Sequence, residues 1–283
     1  HKLIWRIFIY KLETYRELKK RITVENKIDI YEILIESYQL LRKHLKLFLS
    51  ISLLMVFLTF IIGFLIQSIG KLNTEEQLII YPLTIGTFLI GVYFQMRFSI
   101  VLFYAIKNKY ELGEFNFSET FLFSKKIFWH YLKTSLLLAI YLIVPVILLS
   151  IGVAFFYNII VKALLIILGI IIALYFTIQF GLSPLIAIFN IEEKKPLDHS
   201  KHLCSLNSRQ VLYTFIAIII IELLVYFIGS LWENSPSIQF KSVTYYILHA
   251  IVEIFSTPFI MGISVILYIK LNKIESRQTE TLL

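Results

Sequence analysis

Six long apolar runs constrain the fold of this chain more than any other feature of its sequence. Each contains a stretch of about 18 or more residues with almost no charge, which is long enough to cross a hydrocarbon core of about 30 Å. Only 16% of the 283 residues are charged and 58% are hydrophobic, so a soluble globule of this size would lack the polar surface it needs. The sequence therefore predicts an all-α, polytopic membrane protein with six spans, at roughly Leu47–Ile69, Leu78–Ile106, Thr134–Phe156, Ile159–Phe189, Gln210–Leu231 and Val243–Ile269.

The basic residues outside these runs indicate how the chain is oriented. Four segments on one side of the predicted membrane hold 23 Lys and Arg residues, whereas the three segments on the other side hold only Lys71, Lys162 and Lys241. Cytoplasmic loops carry an excess of Lys and Arg, so both termini and the two charged loops are expected in the cytoplasm. The net charge of +8 follows from this topology, and we expect no binding to nucleic acid, which would need a basic face outside these loops.

Basic and polar positions recur at intervals of 83 residues. One set precedes the first, third and fifth spans, which we call outgoing: Arg42-Lys43, Lys125-Lys126 and Ser208-Arg209. The other set follows the second, fourth and sixth spans, which we call returning: Lys107, Asn190 and Lys273. Six spans of ordinary length would space themselves almost as evenly without any repeat. A short amphipathic helix before each outgoing span favours true repetition, and it predicts three units, each an amphipathic helix followed by a membrane hairpin.

The chain divides into three parts by composition. Residues 1–27 are basic and have apolar residues at helical spacing, which fits a helix in the membrane interface or equally a solvated helix docked on the protein. Residues 28–275 form the six-span membrane domain, which opens with a second amphipathic helix between Ile28 and Leu45. Residues 276–283 are a short tail.

Proline positions near the ends of the spans carry a resemblance to a known family. Pro184 lies near the end of the fourth run, Pro196 and Leu197 open the helix that follows, and Pro258 and Tyr268 lie in the last run. In this pattern the chain resembles the bacterial six-span membrane domain that is sometimes fused to glycerophosphodiester phosphodiesterases, and its stand-alone relatives. The resemblance implies a membrane accessory or scaffold domain in the bacterial cytoplasmic membrane. The resemblance does not imply a phosphodiesterase active site, because no segment here resembles the barrel domain that holds the active site in those enzymes.

Ionisable residues inside spans are costly, at about 2.5 to 3.5 kcal/mol each near the bilayer centre, and usually face a partner. Arg97, Gln179 and Glu222 fall at similar depths by their distance from the span ends, so they are expected to form one buried polar layer in which Arg97 pairs with Glu222. His249 and Glu253 form a secondary candidate set nearer the outer side. Such a layer suits an ion or proton pathway or a polar lipid or substrate site, but a structural ion pair that fixes helix packing is the favoured interpretation.

Two further residue sets have less specific patterns. The span prolines Pro82, Pro145, Pro184 and Pro258 could mark broken helices of a transporter, but they do not recur at 83-residue intervals, which favours ordinary kinks. The second set is Asp198, His199, His202 and Cys204. These residues lie within about two turns of one short helix and lack the spacing of a zinc site. We therefore expect a solvated interfacial helix with no metal and no cofactor.

The sequence contains none of the common catalytic motifs, such as a histidine pair bracketing a glutamate, a glycine-flanked serine or a phosphate loop. We therefore expect a non-enzymatic integral membrane accessory or scaffold protein, alone or as a subunit of a larger assembly. The alternative is a transporter or lipid-handling protein that uses the polar layer. The expected partners are membrane lipids and either another protein or a second copy of the chain.

Overall fold

The computed structural model describes residues 28–69, 74–155, 159–233 and 241–282, and the chain is all-α in these ranges. They contain nine helices: α1 Ile30–Lys43, α2 Leu45–Ile69, α3 Thr74–Glu111, α4 Phe117–Phe155, α5 Ile159–Phe180, α6 Ser183–Phe189, α7 Pro196–Leu206, α8 Ser208–Glu233 and α9 Lys241–Leu282. The basic segment predicted in residues 1–27 lies outside the described residues, as does part of each of the three segments predicted on the other side of the membrane.

Six helical segments in these ranges are long and apolar enough to cross a membrane, which confirms the six predicted spans and indicates a multi-pass membrane protein. Their bounds are Leu45–Gly63, Thr84–Glu111, Phe117–Ile151, Ile159–Phe189, Ser208–Val225 and Ala250–Glu280. The last helix, α9, continues to Leu282, so residues 276–282 extend it.

The amphipathic helix predicted before the first span is present as α1. The side chain of Asp29 caps it by accepting a hydrogen bond from the backbone N–H of Tyr31 at 2.9 Å. Glu32 lies in the first turn and Lys43 in the last, where each charge suits the helix dipole. Ile33, Ser37 and Leu40 make its buried face, at the spacing of one helical stripe. A turn at His44 then separates α1 from α2.

The amphipathic segment before the third span differs from the prediction of a separate short helix. It is the first part of α4, which runs without a break from Phe117 to Phe155. Asn116 begins this helix, and its side-chain oxygen accepts from the backbone N–H of Ser118 at 3.1 Å. The chain has turns at His44 and Asn207 before the other two outgoing spans, whereas no turn interrupts α4. As a result, the first turns of α4 lie alongside the end of α3.

The fourth span is divided between α5 and α6 by a turn at Gly181 and Leu182. Pro184 lies in the first turn of α6. A backbone N–H at that position has no partner within the helix, so proline, which lacks one, is tolerated there. A Cβ at position 181 would clash with the Thr177 backbone carbonyl oxygen and lie 2.6 Å from the Phe215 ring. The backbone clash favours glycine at this turn. Of the four span prolines, the other three lie within continuous helices.

The hydrophobic core lies at one end of the bundle, which we call the charged end: α1, the C-terminal half of α3, the first part of α4, α6, α7 and the C-terminal part of α9. Fully buried core residues come from five of these elements, namely Ile33, Leu102, Ile186, Leu203 and Leu267. Away from this end the spans are paired in hairpins that expose most of their apolar surface. The packing that holds the three hairpins together is therefore concentrated at the charged end.

Candidate functional site

Arg97 is buried, with 7% of its surface exposed, and its acceptors lie on α3 and α4. Its Nε donates to Ser124 Oγ at 3.0 Å, one terminal nitrogen donates to the Phe121 carbonyl, and the other donates to Tyr93 Oη at 3.4 Å. The guanidinium also lies 3.9 Å from the centroid of the Phe121 ring, a cation–π contact. The pairing predicted with Glu222 is not formed, and the charge of Arg97 is held by neutral oxygens and an aromatic face.

The position of Arg97 along the bundle also differs from the prediction. Because α3 and α4 are antiparallel, Arg97 is level with Ser124, which directly precedes the exposed Lys125 and Lys126. Exposed ammonium groups belong in the membrane interface or in water. Arg97 therefore lies beside the basic first part of α4, whereas the prediction placed it beside Glu222 at a depth of about 15 Å.

The other residues of the predicted polar layer are on separate helices. Gln179 of α5 is partly buried, and its backbone carbonyl accepts from Ser200 Oγ of α7 at 3.0 Å. Glu222 is exposed on α8. In the secondary set, Glu253 is partly buried on α9, whereas the side chain of His249 lies outside the described residues.

A polar cluster that the sequence did not suggest is centred on Lys270 of α9. Its ammonium lies 2.9 Å from a Glu32 carboxylate oxygen and 3.0 Å from a Glu36 oxygen, both on α1. The hydroxyl of Tyr110, at the end of α3, donates to the other oxygen of Glu36 at 2.8 Å. The Lys270 and Glu36 side chains are 16% and 25% exposed, whereas Glu32 is 55% exposed. The network therefore joins three helices, with its Glu32 side open to water.

A second cluster is centred on His199 of α7. Its Nδ1 lies 3.2 Å from a Glu193 oxygen, and its Nε2 lies 3.1 Å from a Glu275 oxygen of α9. The other Glu275 oxygen lies 3.3 Å from His202 Nε2. This cluster ties α7 and the loop before it to α9. Both clusters therefore hold short helices of the charged end against the same long helix.

The sequence contained a usable signal for the first cluster. Lys270 shares a helical face with Leu267 and Ile274, which are both buried, and a lysine on a buried apolar face needs an acidic partner. The partners themselves were not readable, because Glu32 and Glu36 are more than 230 residues earlier in the chain.

Four polar residues of α7, Asp198, His199, His202 and Cys204, have different surroundings. Asp198 is exposed and pairs loosely with Lys195 at 4.0 Å, His199 and His202 contact carboxylates as above, and Cys204 is fully buried. In the part of the chain that the structure describes, no group of three His, Cys, Asp or Glu residues is placed to hold a metal ion. Burial raises the pKa of the Cys204 thiol to about 12, although a hydrogen bond with Ser200 works in the opposite direction.

This burial predicts that Cys204 is unreactive in the folded protein. The nucleophile in thiol alkylation is the thiolate, and a thiol with a pKa near 12 is almost entirely protonated at pH 8. We expect a maleimide to label Cys204 at least about 100 times more slowly in mild detergent than after denaturation, because both access and ionisation are restricted. Labelling followed by mass spectrometry measures the two rates, and equal rates would show that the thiol is accessible in the folded state.

Comparison with known proteins found no match for this chain among protein-family models, curated proteins or solved structures. The resemblance to the six-span membrane domain described above therefore stays a prediction.

Proposed function

We propose that this protein is a non-enzymatic integral membrane accessory or scaffold protein, and that the α4–α5 hairpin is the part that contacts a partner within the membrane. One observation carries the proposal. In the most apolar stretches of the third and fourth spans only 11% and 6% of the residues are buried, compared with 50% in the second span. The two helices of this hairpin contact each other closely, as where Tyr141 stacks on Phe180 with ring centroids 5.1 Å apart.

The ionisable groups of the charged end support the same proposal. Lys270 is engaged by Glu32 and Glu36, and His199 by Glu193 and Glu275. Groups paired in this way connect helices to one another, which suits a rigid scaffold. It is the arrangement expected of structural networks rather than of a nucleophile activated by a nearby base.

A photo-crosslinking amino acid at Ile143 of α4 or Ile167 of α5 tests the proposal in native membranes. Both positions are exposed, at 51% and 54%, so the probe should not disturb packing. We expect a discrete protein adduct from each position. An adduct of twice the mass of the chain would identify the partner as a second copy.

Leu53 of α2 is the matched control, because it is 55% exposed on a different hairpin. It should give mainly lipid adducts. Lipid adducts alone at all three positions, from a protein that purifies as a monomer, would contradict the proposed scaffold role.

We further propose that the charged end is cytoplasmic and that the fold consists of three repeats. Each inner amphipathic segment packs on a returning span: α1 on α9, the start of α4 on α3, and α7 on α5. In three such contacts Arg97 contacts Ser124, Gln179 accepts from Ser200, and Gly262 lies next to Ser37. The return-span positions are at nearly equal intervals, whereas the three serines are 87 and 76 residues apart. The first and second of these return-span positions are 82 residues apart and the second and third are 83 apart.

Reporter fusions test the orientation. Fusions after Lys109, Lys194 and Lys273 are expected to show cytoplasmic activity, because the basic segments stay on the inner side. Fusions after Asn73, Asn158 and Asn234 are expected to show the opposite. One inverted pair of neighbouring sites would contradict the proposed topology.

Lipid handling is the second candidate function, and a groove between α1, α8 and α9 favours it. The groove has a volume of about 450 Å³ and an almost wholly apolar wall, and it is lined by Tyr38, Leu41, Ile221, Ile251, Val252, Phe255, Ser256 and Phe259. Such a groove fits part of an acyl chain. Liposomes that contain the protein and a fluorescent lipid would test it: scrambling above the rate of protein-free liposomes supports lipid handling, and an unchanged rate opposes it.

A further inference from the structure

A basic cavity lies at the charged end, where α1 turns into α2 and the end of α3 approaches. It has a volume of about 550 Å³ and is lined by Lys43, His44, Lys46, Leu47, Ser50, Lys109 and Phe115. Three of these seven residues are lysines and none is a carboxylate. This composition differs from the rest of the charged end, where Lys270 and His199 are surrounded by glutamates.

Two chain reversals build the cavity. The turn at His44 places Lys43 at the end of α1 and Lys46 in the first turn of α2. On the other side, Gly113 ends α3 with a φ of 76°, a left-handed conformation that glycine adopts without strain. Its N–H donates to the Asn108 carbonyl at 2.9 Å, and its carbonyl accepts from Lys109 Nζ at 2.8 Å. That hydrogen bond fixes the Lys109 ammonium beside the cavity and uses only one of the three protons of the ammonium group.

The electrostatics of the cavity favour an anion. Lys43, Lys46 and Lys109 supply three positive charges. The pKa of His44 is lowered by its burial, then by Lys109 and Lys43, and each of these effects favours the neutral imidazole. In the described part of the chain His44 Nε2 is shielded from solvent and has no hydrogen-bond partner. A buried polar nitrogen without a partner is costly, and an oxygen-rich ligand in the cavity would satisfy it.

An apolar stripe continues from the cavity along α2. Leu54, Phe57 and Ile61 are exposed, and they follow Lys46 and Ser50 at the spacing of one helical face. The lysines therefore lie at the end of a surface that is suited to hydrocarbon. A free phosphate ion would use only the lysines, whereas a phospholipid would use both parts.

We propose that this cavity binds the phosphate group of an anionic phospholipid in the leaflet at the charged end, with the acyl chains along the exposed face of α2. The ammonium groups of Lys43, Lys46 and Lys109 pair with the phosphate oxygens, and His44 Nε2 contacts the phosphate or a headgroup hydroxyl. Basic cavities between membrane helices are suited to such headgroups. The inference does not depend on the scaffold role or on lipid transfer, because a lipid held at this corner can be purely structural.

Titration of the purified full chain in a neutral detergent tests the proposal. The probes are dihexanoyl phosphatidylglycerol, dihexanoyl phosphatidylcholine and inorganic phosphate, and native mass spectrometry counts the bound molecules. Phosphatidylglycerol is expected to bind at least about tenfold more tightly than phosphatidylcholine. Lys43→Gln/Lys46→Gln is expected to lose about 30-fold in the affinity for phosphatidylglycerol, because each lysine near an anionic headgroup contributes about fivefold. Both lysines are exposed, so the double variant should fold.

Lys125→Gln/Lys126→Gln is the matched control, since it removes the same charge from two exposed lysines of the charged end. It should change the affinity by less than about twofold. An equal loss in both double variants would overturn the proposal in favour of general surface attraction. Displacement of the lipid by millimolar inorganic phosphate would overturn it in favour of a free-anion site. Slow maleimide labelling of Cys204 checks that each variant is folded. If labelling of the double variant becomes fast, Lys46→Gln alone replaces it, with an expected loss of about fivefold in affinity.

Discussion

Arg97→Leu is expected to lower the free energy of unfolding by about 3 kcal/mol, because it removes charge-assisted hydrogen bonds and a cation–π contact together. The lost donors leave Ser124 Oγ, the Phe121 carbonyl and the Tyr93 hydroxyl with fewer partners. Leucine recovers part of the loss by packing in the same space, so we expect less than the sum of the separate contacts. Unfolding in mixed micelles of mild detergent and SDS measures the change.

Double-mutant cycles show which residues are energetically coupled to Arg97. Arg97→Leu combined with Ser124→Ala should give a coupling of about 1 to 2 kcal/mol, as expected for residues in one hydrogen-bond network. The same variant combined with Glu222→Gln should give less than about 0.5 kcal/mol, the range of separated sites. A large coupling to Glu222 would mean that Arg97 pairs across the bundle, as the sequence alone had suggested.

Lys270→Met is expected to lower the free energy of unfolding by about 2 to 3 kcal/mol. Removing the lysine leaves Glu32 and Glu36 as neighbouring carboxylates without a cation between them, and the loss of one partner from a buried pair costs about 3 to 5 kcal/mol. The expected value is lower than that range because the Glu32 side chain is 55% exposed and water screens part of its charge. The same detergent unfolding assay measures the change.

Removing all three charges tests whether the cost comes from unpaired carboxylates. The triple variant Glu32→Gln/Glu36→Gln/Lys270→Met should recover much of the stability, since a buried ion network is often replaced at little cost by neutral residues. Asp198→Asn is the control: its pair with Lys195 is 74% and 79% exposed, so we expect a change below about 0.5 kcal/mol. A Lys270→Met effect as small as that of the control would show that the network contributes nothing to stability.

The sequence by itself determined the class of the fold, because the signals for it are local. Apolar runs of span length predict membrane helices whatever they pack against, and all six were found. Pro196 correctly predicted the start of α7, and the amphipathic pattern after Ile28 correctly predicted α1. The strong basic asymmetry predicted an orientation, which awaits the fusion experiment.

Only the tertiary structure decided which polar groups meet. Depth counted from the ends of the apolar runs placed Arg97 beside Glu222, but α3 extends past the predicted span end and α4 starts without a break, so Arg97 lies level with Ser124. Lys270 depends on carboxylates at the other end of the sequence. The basic cavity depends on two separate chain reversals, at His44 and Gly113. Periodicity assigns each residue to a face of its own helix, and the partner of that face is set by long-range packing.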